Sequence, residues 1–428
     1  MLKHNFQIGV IGAGAAGLMA AAEAARVGAS VVLLEKNRKS GVKILMSGGT
    51  RCNVTHHTNA KGILRAFGDG GRFLRPSLGA FPPKKVVEMF HELGVPTKVE
   101  ETGKVFPLSD RALHVRDALL HQATDLGVRL VTEQSVGGIE SVGKDRWGIR
   151  TQDDFYEVDR VIVTTGGKSW PDCGTTGDAY SWLEDLGHEI VKPRPALVPL
   201  LGGDQWMHSL SGVTLPDCEI SVWEGVNPKW KLLCRRRSSL LLTHQGFSGP
   251  AAMDASGSLT AMESLKNSRV LLDSIPAIHE NELANQFTNR SEGGRQKIAN
   301  LVNQWLPKRL ANSLIQQVDA DCTVAELPKA SRLRLLEALK RLPLGVTGTL
   351  GFPKAEVTAG GVKLDEVNAK TMESQFCKGL YIAGEVLNVD GPIGGYNFQA
   401  AFSTGRAAGI AAAKSLNPVP SGEELTSP

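Results

Sequence analysis

The chain opens with short apolar runs and glycine-rich breaks in a strand–turn–helix–strand pattern. Ile8–Ile11 has the length of a buried parallel strand, and the Ala-rich segment Leu18–Arg26 lacks proline, which predicts a helix. Gly28 ends that helix, and Val31–Leu34 predicts a second buried strand. The pattern is typical of a dinucleotide-binding βαβ unit, and an ordinary βαβ turn is the alternative.

The turn between this strand and helix is Gly-Ala-Gly-Ala-Ala-Gly, and each glycine has a physical reason. Gly12 permits the tight turn, Gly14 lets the backbone approach a pyrophosphate, and Gly17 lets the helix pack close to the strand. The helix N-terminus supplies free N–H groups for phosphates, and the acid after the second strand can accept hydrogen bonds from ribose. The predicted nucleotide contacts are Gly12, Ala13, Gly14, Ala15, Ala16, Gly17, Glu35 and Lys36.

A second loop, Met46–Thr55, follows this unit and combines glycines, small hydroxyl residues, arginine and asparagine. Such a loop offers many backbone N–H groups and a fixed cation, which suits an anionic or electron-rich ligand. A surface turn with a structural arginine is the alternative. The residues expected to contact the cofactor here are Lys43, Ser47, Gly48, Gly49, Thr50, Arg51, Cys52 and Asn53.

Two apolar segments in the middle of the chain predict further strands. Val128–Val136 alternates apolar and polar positions, and the backbone near Val136 is expected to contact an adenine. Asp159–Thr165 predicts a buried strand, which Gly166 and Gly167 end. We therefore expect Thr165 and Gly166 to approach the same cofactor.

Near the C-terminus, Gly379–Glu385 predicts a last buried strand, followed by a diglycine and a long Ala-rich helix through Ala413. A strand with glycine and an acid at this late position favours an FAD pattern over that of NAD dehydrogenases. The positive end of the last helix would then face the flavin and stabilise its anionic reduced form. The predicted contacts are Gly384, Glu385, Gly395, Tyr396, Asn397 and Phe398.

The pattern between these ends changes twice. The predicted organisation is an FAD-binding domain over 1–192 and 351–416, a β-rich insertion of short strands over 193–276, a helical insertion over 277–350 and a disordered tail over 417–428. The helical insertion is basic, for which a solvated helix face is the simpler interpretation.

Composition limits the possible classes. The 428 residues are 42% hydrophobic and 21% charged, which fits a globular protein with a large core. A net charge of +4 does not by itself indicate nucleic acid. Six scattered cysteines without a CxxC pair argue against disulfides, a zinc ribbon and a redox dithiol, and no metal site is expected. No apolar run of 18 residues and no targeting segment is apparent, so we expect a cytoplasmic protein without a membrane span.

Five stretches together resemble the BaiN/RdsA-like family of FAD-dependent oxidoreductases, also described as aminoacetone-oxidase-like FAD-binding enzymes. They are the Met46–Thr55 loop, Glu356–Val362, Thr371–Ser374, Gly379–Glu385 and Gly394–Gln399. The resemblance implies an α/β fold, with a glutathione-reductase-like FAD-binding Rossmann domain interrupted by a β-rich and a helical insertion. Members of the family are linked to reduction of bile-acid intermediates, amine oxidation and reduction of a uridine in ribosomal RNA.

The leading hypothesis from the sequence is an FAD-dependent oxidoreductase that passes hydride from flavin N5 to an activated C=C bond of a small molecule. NADH or NADPH would bind transiently, because no second GxGxxG unit exists. Candidate proton donors are Cys52, Tyr396 and His244. The alternatives are a ribosomal RNA uridine reductase (dihydrouridine synthase), motivated by Arg235–Arg237 and the basic insertion, a flavin-dependent amine oxidase, and a flavin-binding protein without turnover.

Overall fold

A computed structural model describes residues 3–143, 145–288 and 294–416 of the chain. The chain divides into two compact units. The first comprises Met1–Arg194 and Glu356–Pro428, and the second is Pro195–Ala355. The tail expected to be disordered, 417–428, lies outside the described residues.

The first unit contains both chain ends. Its helices are α1 Ala15–Arg26, α2 Val42–Thr50, α3 Ala60–Ala66, α4 Gly71–Ala80, α5 Pro83–Glu92, α6 Ala112–Asp125 and α7 Asp178–Asp185, with a long helix Tyr396–Lys414 near the C-terminus. Its strands before the second unit are β1 Lys3–Ile11, β2 Val31–Leu34, β3 Thr55–His56, β4 Thr97–Val99, β5 Lys104–Pro107, β6 Arg129–Val131, β7 Val136–Ser141, β8 Trp147–Thr151, β9 Phe155–Val163 and β10 Ile190–Ala196, whose last two residues belong to the second unit.

The second unit carries one seven-stranded sheet with helices around it. Its strands are β11 Leu200–Gly202, β12 Thr214–Val226, β13 Lys229–Thr243, β14 Gly246–Ser248, β15 Ser268–Asp273, β16 Leu342–Pro343 and β17 Val346–Thr349. Its helices are α8 Gln205–His208, α9 Pro250–Thr260, α10 Glu280–Gln286, α11 Ile298–Val302, α12 Lys308–Gln317 and α13 Lys329–Lys340. After it, the chain adds β18 Val357–Val362 and β19 Leu380–Ile382, and Tyr396–Lys414 is α14.

Parallel strands form the centre of the first unit. β1 pairs in parallel with β2 on one side and with β9 on the other, and β6 extends the sheet beyond β2. β19 pairs in parallel with the C-terminal end of β9. Because β19 follows the second unit in sequence, both ends of the chain contribute to one sheet.

Two helices pack closely on this sheet because glycine replaces larger side chains between them. A Cβ at Gly405 of α14 would lie 2.3 Å from the carbonyl oxygen of Ala16 in α1. A Cβ at Gly409 would lie 2.2 Å from the carbonyl oxygen of Ala20. The last helix therefore lies directly against the helix that follows the glycine-rich turn.

The strand predicted over Val128–Val136 is wrong as a single element. The structure has the short β6, a turn, and then β7, which pairs antiparallel with β8. Glu133 takes a φ of 58°, in the left-handed region that breaks a strand. The strand predicted over Asp159–Thr165 is longer at its start, because β9 runs unbroken from Phe155 to Val163.

The β-rich and helical segments, expected to be two insertions, share one core in the second unit. The sheet order is β16-β15-β12-β13-β14-β11-β17, so its last strands follow the helical segment in sequence. The segment 193–276, predicted to hold short strands, contains two long ones, β12 and β13, of 13 and 15 residues. Within the described ranges, no helix of either unit is long and apolar enough to span a membrane.

Candidate functional site

The glycine-rich turn after β1 is shaped by contacts that only glycine allows. Gly12 has a φ of 97°, and a Cβ there would lie 2.7 Å from the carbonyl oxygen of Thr164. A Cβ at Gly17 would lie only 1.8 Å from the carbonyl oxygen of Gly12. Gly14 differs, because nothing lies within 4 Å of the position its Cβ would take. The backbone at Gly14 therefore faces open space, as a turn that admits a pyrophosphate requires.

The helix end above this turn is free to hold an anion. Gly14 is the N-cap of α1, no side chain caps the helix, and no acidic residue lies in its first turn. Its N–H groups and partial positive charge are therefore not neutralised locally. Gly384 meets it from the other end of the chain, because a Cβ there would lie 2.8 Å from the Cβ of Ala16.

Glu35 fixes the turn from the end of β2. Its Oε2 accepts a hydrogen bond from the backbone N–H of Ala13 at 2.9 Å, and its Oε1 accepts one from the N–H of Asn37 at 2.8 Å. The carboxylate is only 7% exposed. Each carboxylate oxygen can accept a further hydrogen bond, so this arrangement is compatible with the ribose contact predicted for Glu35.

Two adjacent threonines follow β9 beside the same turn. Thr164 Oγ1 lies 2.9 Å from the carbonyl oxygens of both Ile11 and Gly12, which ties β9 to the turn. The buried Oγ1 of Thr165 has no hydrogen-bond partner among the described residues. A buried hydroxyl without a partner is costly, and a bound dinucleotide would supply one. The orphaned hydroxyl and the open space at Gly14 fit an FAD bound here.

A partly buried ion pair connects the second loop region with the C-terminal segment. Lys43 Nζ lies 2.6 Å from Glu385 Oε2 and 2.6 Å from Ser169 Oγ. Glu385 Oε1 accepts hydrogen bonds from the Ser169 hydroxyl and from the N–H of Thr358. Burial raises the pKa of Glu385, but the charge of Lys43 and these hydrogen bonds outweigh burial and hold the pKa below its usual value.

This ion pair affects the cofactor contacts predicted for Lys43 and Glu385. Lys43 and Glu385 satisfy each other in the structure, so any contact of theirs with FAD would be made from within the pair. Lys36 likewise bonds Thr176 and Asp178. Gly166 adopts a φ of 74° after β9, and a Cβ there would touch Thr175.

The second helix end lies at α14, next to the backbone of Thr55 and the side chain of Asn53. Gly395 is its N-cap at a φ of 87°, with no side-chain cap and no acid in the first turn. A Cβ at Gly395 would lie 2.5 Å from the carbonyl oxygen of Thr55 and 2.7 Å from Asn53 Oδ1. The structure therefore brings Asn53 and the helix start together, although 342 positions separate Asn53 from Gly395 in the sequence.

Aromatic stacking orders the first residue of this helix. The ring of Tyr396 stacks on His56 with centroids 4.7 Å apart and an interplanar angle of 19°. His56 Nδ1 lies 3.1 Å from the carbonyl oxygen of Gly394. Burial lowers the pKa of His56, and the hydrogen bond to Gly394 offsets this only in part, so the imidazole is neutral at pH 7.

The next two residues support the turn before α14. Asn397 Nδ2 donates to the carbonyl oxygen of Gly391, and its Oδ1 accepts from the N–H of Gly391. Phe398 packs on Phe402, with centroids 5.9 Å apart. The side chain of Asn397 thus holds the loop before α14.

The Met46–Thr55 loop is partly helical at its start. α2 includes Ser47, Gly48, Gly49 and Thr50, but Ser47 has an extended ψ and Gly48 and Gly49 have left-handed φ values of 55° and 66°. Thr50 and Cys52 also adopt positive φ, at 68° and 61°. Non-glycine residues held in this region are strained, and such strain concentrates at functional sites.

The arginine of this loop is committed to protein contacts. Arg51 Nη1 bonds Glu100 Oε1 at 2.7 Å and lies 3.4 Å from Asp110 Oδ1. Its guanidinium lies 3.9 Å above the ring centre of Phe106. These contacts give Arg51 a structural role, whatever it adds at the cofactor.

The three candidate proton donors have different surroundings. Cys52 is fully buried, and burial raises the pKa of its thiol to about 12, although a hydrogen bond with Ser47 opposes this. Tyr396 is half-buried at the start of α14. His244 is exposed in the turn between β13 and β14 of the second unit. Val136, the predicted adenine contact, is the buried first residue of β7.

Several residues of the site were not among the predicted contacts, although Thr358 lies within the Glu356–Val362 stretch that carries the family resemblance. Thr164, Ser169 and Thr358 act through hydrogen bonds that only the fold creates, and His56 acts through stacking. For Thr164 and His56 the available signal was position. Thr164 adjoins the predicted Thr165 contact, and His56 follows directly on the loop that ends at Thr55.

Comparisons with known proteins agree with this geometry. A family model described as the HI0933-like protein Rossmann domain matches residues 6–411. The ribosomal RNA dihydrouridine synthase of Haemophilus influenzae is 31% identical over 409 residues, covering 94% of this chain and 97% of that protein. The 3-dehydro-bile acid delta(4,6)-reductase of Clostridium scindens is 31% identical over 414 residues, covering 95% and 99%.

Solved structures show the same fold at lower identity. The 3-ketosteroid-delta4-(5alpha)-dehydrogenase of Rhodococcus jostii has a TM-score of 0.51 at 16% identity, covering 96% of this chain and 97% of that one. The quinol fumarate reductase subunit FrdA of E. coli has a TM-score of 0.52 at 17% identity, covering 99% and 72%. The expected fold class, a glutathione-reductase-like FAD-binding Rossmann domain, is confirmed, and the protein is an oxidoreductase enzyme. The expected resemblance is confirmed too: this chain belongs to the HI0933-like Rossmann-domain family.

Proposed function

We propose that this protein is an FAD-dependent reductase of C=C bonds conjugated to a carbonyl group, with NADH or NADPH as the transient electron donor. The names of both kinds of relative describe this chemistry. A 3-dehydro delta(4,6) bile acid and a uridine each contain a C=C bond conjugated to a carbonyl, and their reduction adds two hydrogens across it. We favour a small-molecule substrate.

The observation that carries the proposal is the pair of uncapped helix ends in one unit. The start of α1 faces open space at Gly14, beside the partnerless hydroxyl of Thr165. The start of α14 carries Tyr396, stacked on His56. The first end suits the diphosphate of FAD, and the second offers positive dipole to the flavin ring. When bound, FAD supplies the hydride for the β-carbon of the conjugated bond.

We assign the proton to Tyr396. A phenol at the first position of α14 is held by the helix and by the His56 ring, so little motion is needed to present it to a substrate. The α-carbon takes the phenolic proton while the β-carbon takes the hydride, and water restores the phenol. Cys52 suits this role less, because its thiol is fully buried.

The test separates the two half-reactions anaerobically in the FAD-loaded protein. NADH or NADPH is expected to bleach the flavin absorbance, and 2-cyclohexen-1-one, but not cyclohexanone, to restore it with loss of the double bond. Tyr396→Phe should bleach normally but return to the oxidised state about 10²–10⁴ times more slowly. If no nicotinamide bleaches the flavin and amines do, the protein is an amine oxidase. If neither bleaches it, catalysis by this route is refuted.

Ribosomal RNA uridine is the second candidate substrate. It is favoured by the name of the Haemophilus influenzae relative and by exposed Arg235, Arg236 and Arg237 on β13. The dihydrouridine content of ribosomal RNA, measured in cells with and without the protein, tests directly whether ribosomal RNA is the substrate. An unchanged content would leave small molecules as the substrate class.

A further inference from the structure

Three neighbouring strands of the second unit present one outward face. In the order β15-β12-β13, Trp223 of β12 lies opposite Arg269 of β15 and Leu232 of β13. Trp230 lies opposite Gly225, and Arg235 lies opposite Ser221. Directly opposite residues share a sheet face, as do alternate residues along a strand. Five side chains therefore share this surface, the Trp–Arg face: Trp223, Trp230, Leu232, Arg235 and Arg269.

The opposite side of the same strands forms the core, and the two tryptophans lie outside it. Ile220 and Val222 alternate with Trp223 and are fully buried. Neither Trp223 nor Trp230 belongs to the hydrophobic cluster formed by the described residues of the second unit, or packs against it. Both indoles are half-buried, and Leu232 beside them is 38% exposed. Trp223 donates its Nε1–H to Ser221 Oγ at 3.0 Å, which fixes its orientation.

Two arginines, Arg235 and Arg269, lie beside these rings on the same face. Lys229, Lys231 and Arg236 alternate with the face residues along β13 and therefore belong to the other side of the sheet. The side chain of Arg235 is 57% exposed. Its Nη1 lies 3.8 Å from Glu219 Oε1, which makes a loose ion pair. Arg269, directly opposite Trp223, is exposed and pairs with no carboxylate in the described part of the chain. The surface thus combines two half-buried indoles with one arginine, Arg269, that no carboxylate of the described residues neutralises.

The edge of this sheet argues against a peptide as the ligand. Residues 229–240 of β13 pair only with β12 among the described strands, because β14 meets β13 at 241–243 alone. A partner protein would most simply add a strand there. However, Lys229, Lys231 and Arg235–Arg237 occupy this edge, and charged edge strands disfavour such addition.

We infer that the Trp–Arg face binds single-stranded RNA. Aromatic side chains stack on unpaired bases, and arginines neutralise the phosphates between them. Trp223 and Trp230 are diagonal neighbours across the β12–β13 ladder, which places them about 7–8 Å apart, a separation that two successive unstacked bases can span. A duplex hides its bases and cannot use these platforms. This assignment rests on the ribosomal RNA form of the proposed function and names the surface that would hold the RNA strand.

The test measures fluorescence anisotropy of a labelled 12-nucleotide single-stranded RNA with the full-length, FAD-loaded protein. We expect Trp223→Ala and Trp230→Ala each to weaken binding about tenfold, because each base–aromatic stack is worth ~1–3 kcal/mol. The matched controls are Leu333→Ala and Lys308→Ala, which remove an exposed apolar and an exposed basic side chain from helices of the same unit. Both controls should leave the affinity within about twofold. Trp223→Phe should retain most of the binding, because the phenyl ring keeps a stacking surface.

Salt and duplex titrations sharpen the result. Arg269→Ala should reduce the slope of log affinity against log salt by about 0.7, the value for one phosphate contact on a single strand. The same RNA annealed to its complement should bind more weakly and without dependence on Trp223 or Trp230. Binding of single-stranded RNA that both alanine variants leave unchanged would overturn the inference. The inference would also be overturned if the native protein bound no RNA, whether or not it bound a polypeptide through this face.

Reduction of 2-cyclohexen-1-one, measured in the same preparations, separates this inference from the proposed chemistry. If the protein reduces the enone but binds no RNA, or binds RNA independently of Trp223 and Trp230, the inference about the Trp–Arg face is refuted. The proposed chemistry is not affected by that result. Tryptophan-dependent RNA binding without enone reduction supports the face and refutes the small-molecule form of the proposal.

Discussion

The two helix starts in the FAD-binding unit look alike in sequence but are built differently. Both α1 and α14 begin after glycine, without a side-chain cap and without an acid in the first turn. At α1, contacts between backbone atoms shape the site, since a Cβ at Gly17 would strike the carbonyl oxygen of Gly12. At α14, residues of the distant β3 region form the walls, and they do so with the side chains of Asn53 and His56 as well as with the carbonyl group of Thr55.

This difference explains which half of the site a sequence reveals. A site formed by backbone atoms needs glycine at fixed spacing, and this spacing can be recognised in a single sequence. A side-chain-built site depends on residues that the fold brings together, and their types vary with the partner. Substitutions at the two ends should therefore fail in different ways.

The largest effect is expected at the backbone-built end. Gly17→Ala would place a Cβ 1.8 Å from the carbonyl oxygen of Gly12, so α1 must move away from β1. We expect a loss of at least ~4 kcal/mol in the free energy of unfolding, measured by urea denaturation. Gly14→Ala is the matched control, since its Cβ meets nothing within 4 Å. Equal stability of the two variants would contradict the backbone account.

The next effect concerns the ion pair that joins the two ends of the chain. Lys43→Met leaves the Glu385 carboxylate without its cation, and removal of one partner of this partly buried, hydrogen-bonded pair should cost about 2–3 kcal/mol at pH 7. Lys84→Met removes a lysine from an exposed pair with Glu88 and should cost less than about 1 kcal/mol. The double variant Lys43→Met with Glu385→Gln should recover part of the loss. A full, additive loss would show that the two residues do not interact.

The pH dependence of this pair has a definite sign. Glu385 has a folded pKa below its ordinary value of 4.5, so its stabilising effect is present above that value and is lost as the pH falls through the folded pKa. In Lys43→Met the cation is gone and burial raises the pKa of Glu385 instead. The gap in unfolding free energy between native and variant protein should therefore narrow from pH 8 to pH 4. A constant gap would place the cost of Lys43→Met elsewhere.

The sequence predicted the first strand–turn–helix unit and the late FAD strand because both rest on local periodicity and glycine spacing. It did not predict that Lys43 and Glu385 pair, since 342 positions separate them. It also missed the break at Glu133, because an acid with positive φ leaves no sign in an alternating pattern. The lengths of the strands in the second unit were also underestimated. The reason is that charged residues such as Arg235–Arg237 lie within the long β13 and interrupt its apolar pattern.

A smaller effect is expected within the side-chain wall. The Thr55 hydroxyl donates to Gln399 Oε1 at 2.6 Å, and Gln399 Nε2 donates to the carbonyl oxygen of Phe81 at 2.8 Å. Gln399→Leu leaves the buried Thr55 hydroxyl unsatisfied and should cost about 2 kcal/mol. Thr55→Val with Gln399→Leu should cost less than the sum of the single changes in a double-mutant cycle. Additive costs would mean that this hydrogen bond does not connect β3 to α14.

The central claim is that both helix starts hold a single FAD, and calorimetric titration of the apoprotein with FAD tests it most directly. We predict one FAD per chain in the native protein. Gly14→Ala should weaken affinity at least ~10-fold, about 1.4 kcal/mol, with unfolding free energy little changed, because its Cβ enters the space open to the pyrophosphate. Gly79→Ala, a helix glycine whose Cβ also meets nothing within 4 Å, should bind as the native chain does. A native chain that binds no FAD, or a Gly14→Ala variant that binds it equally well, would contradict the account.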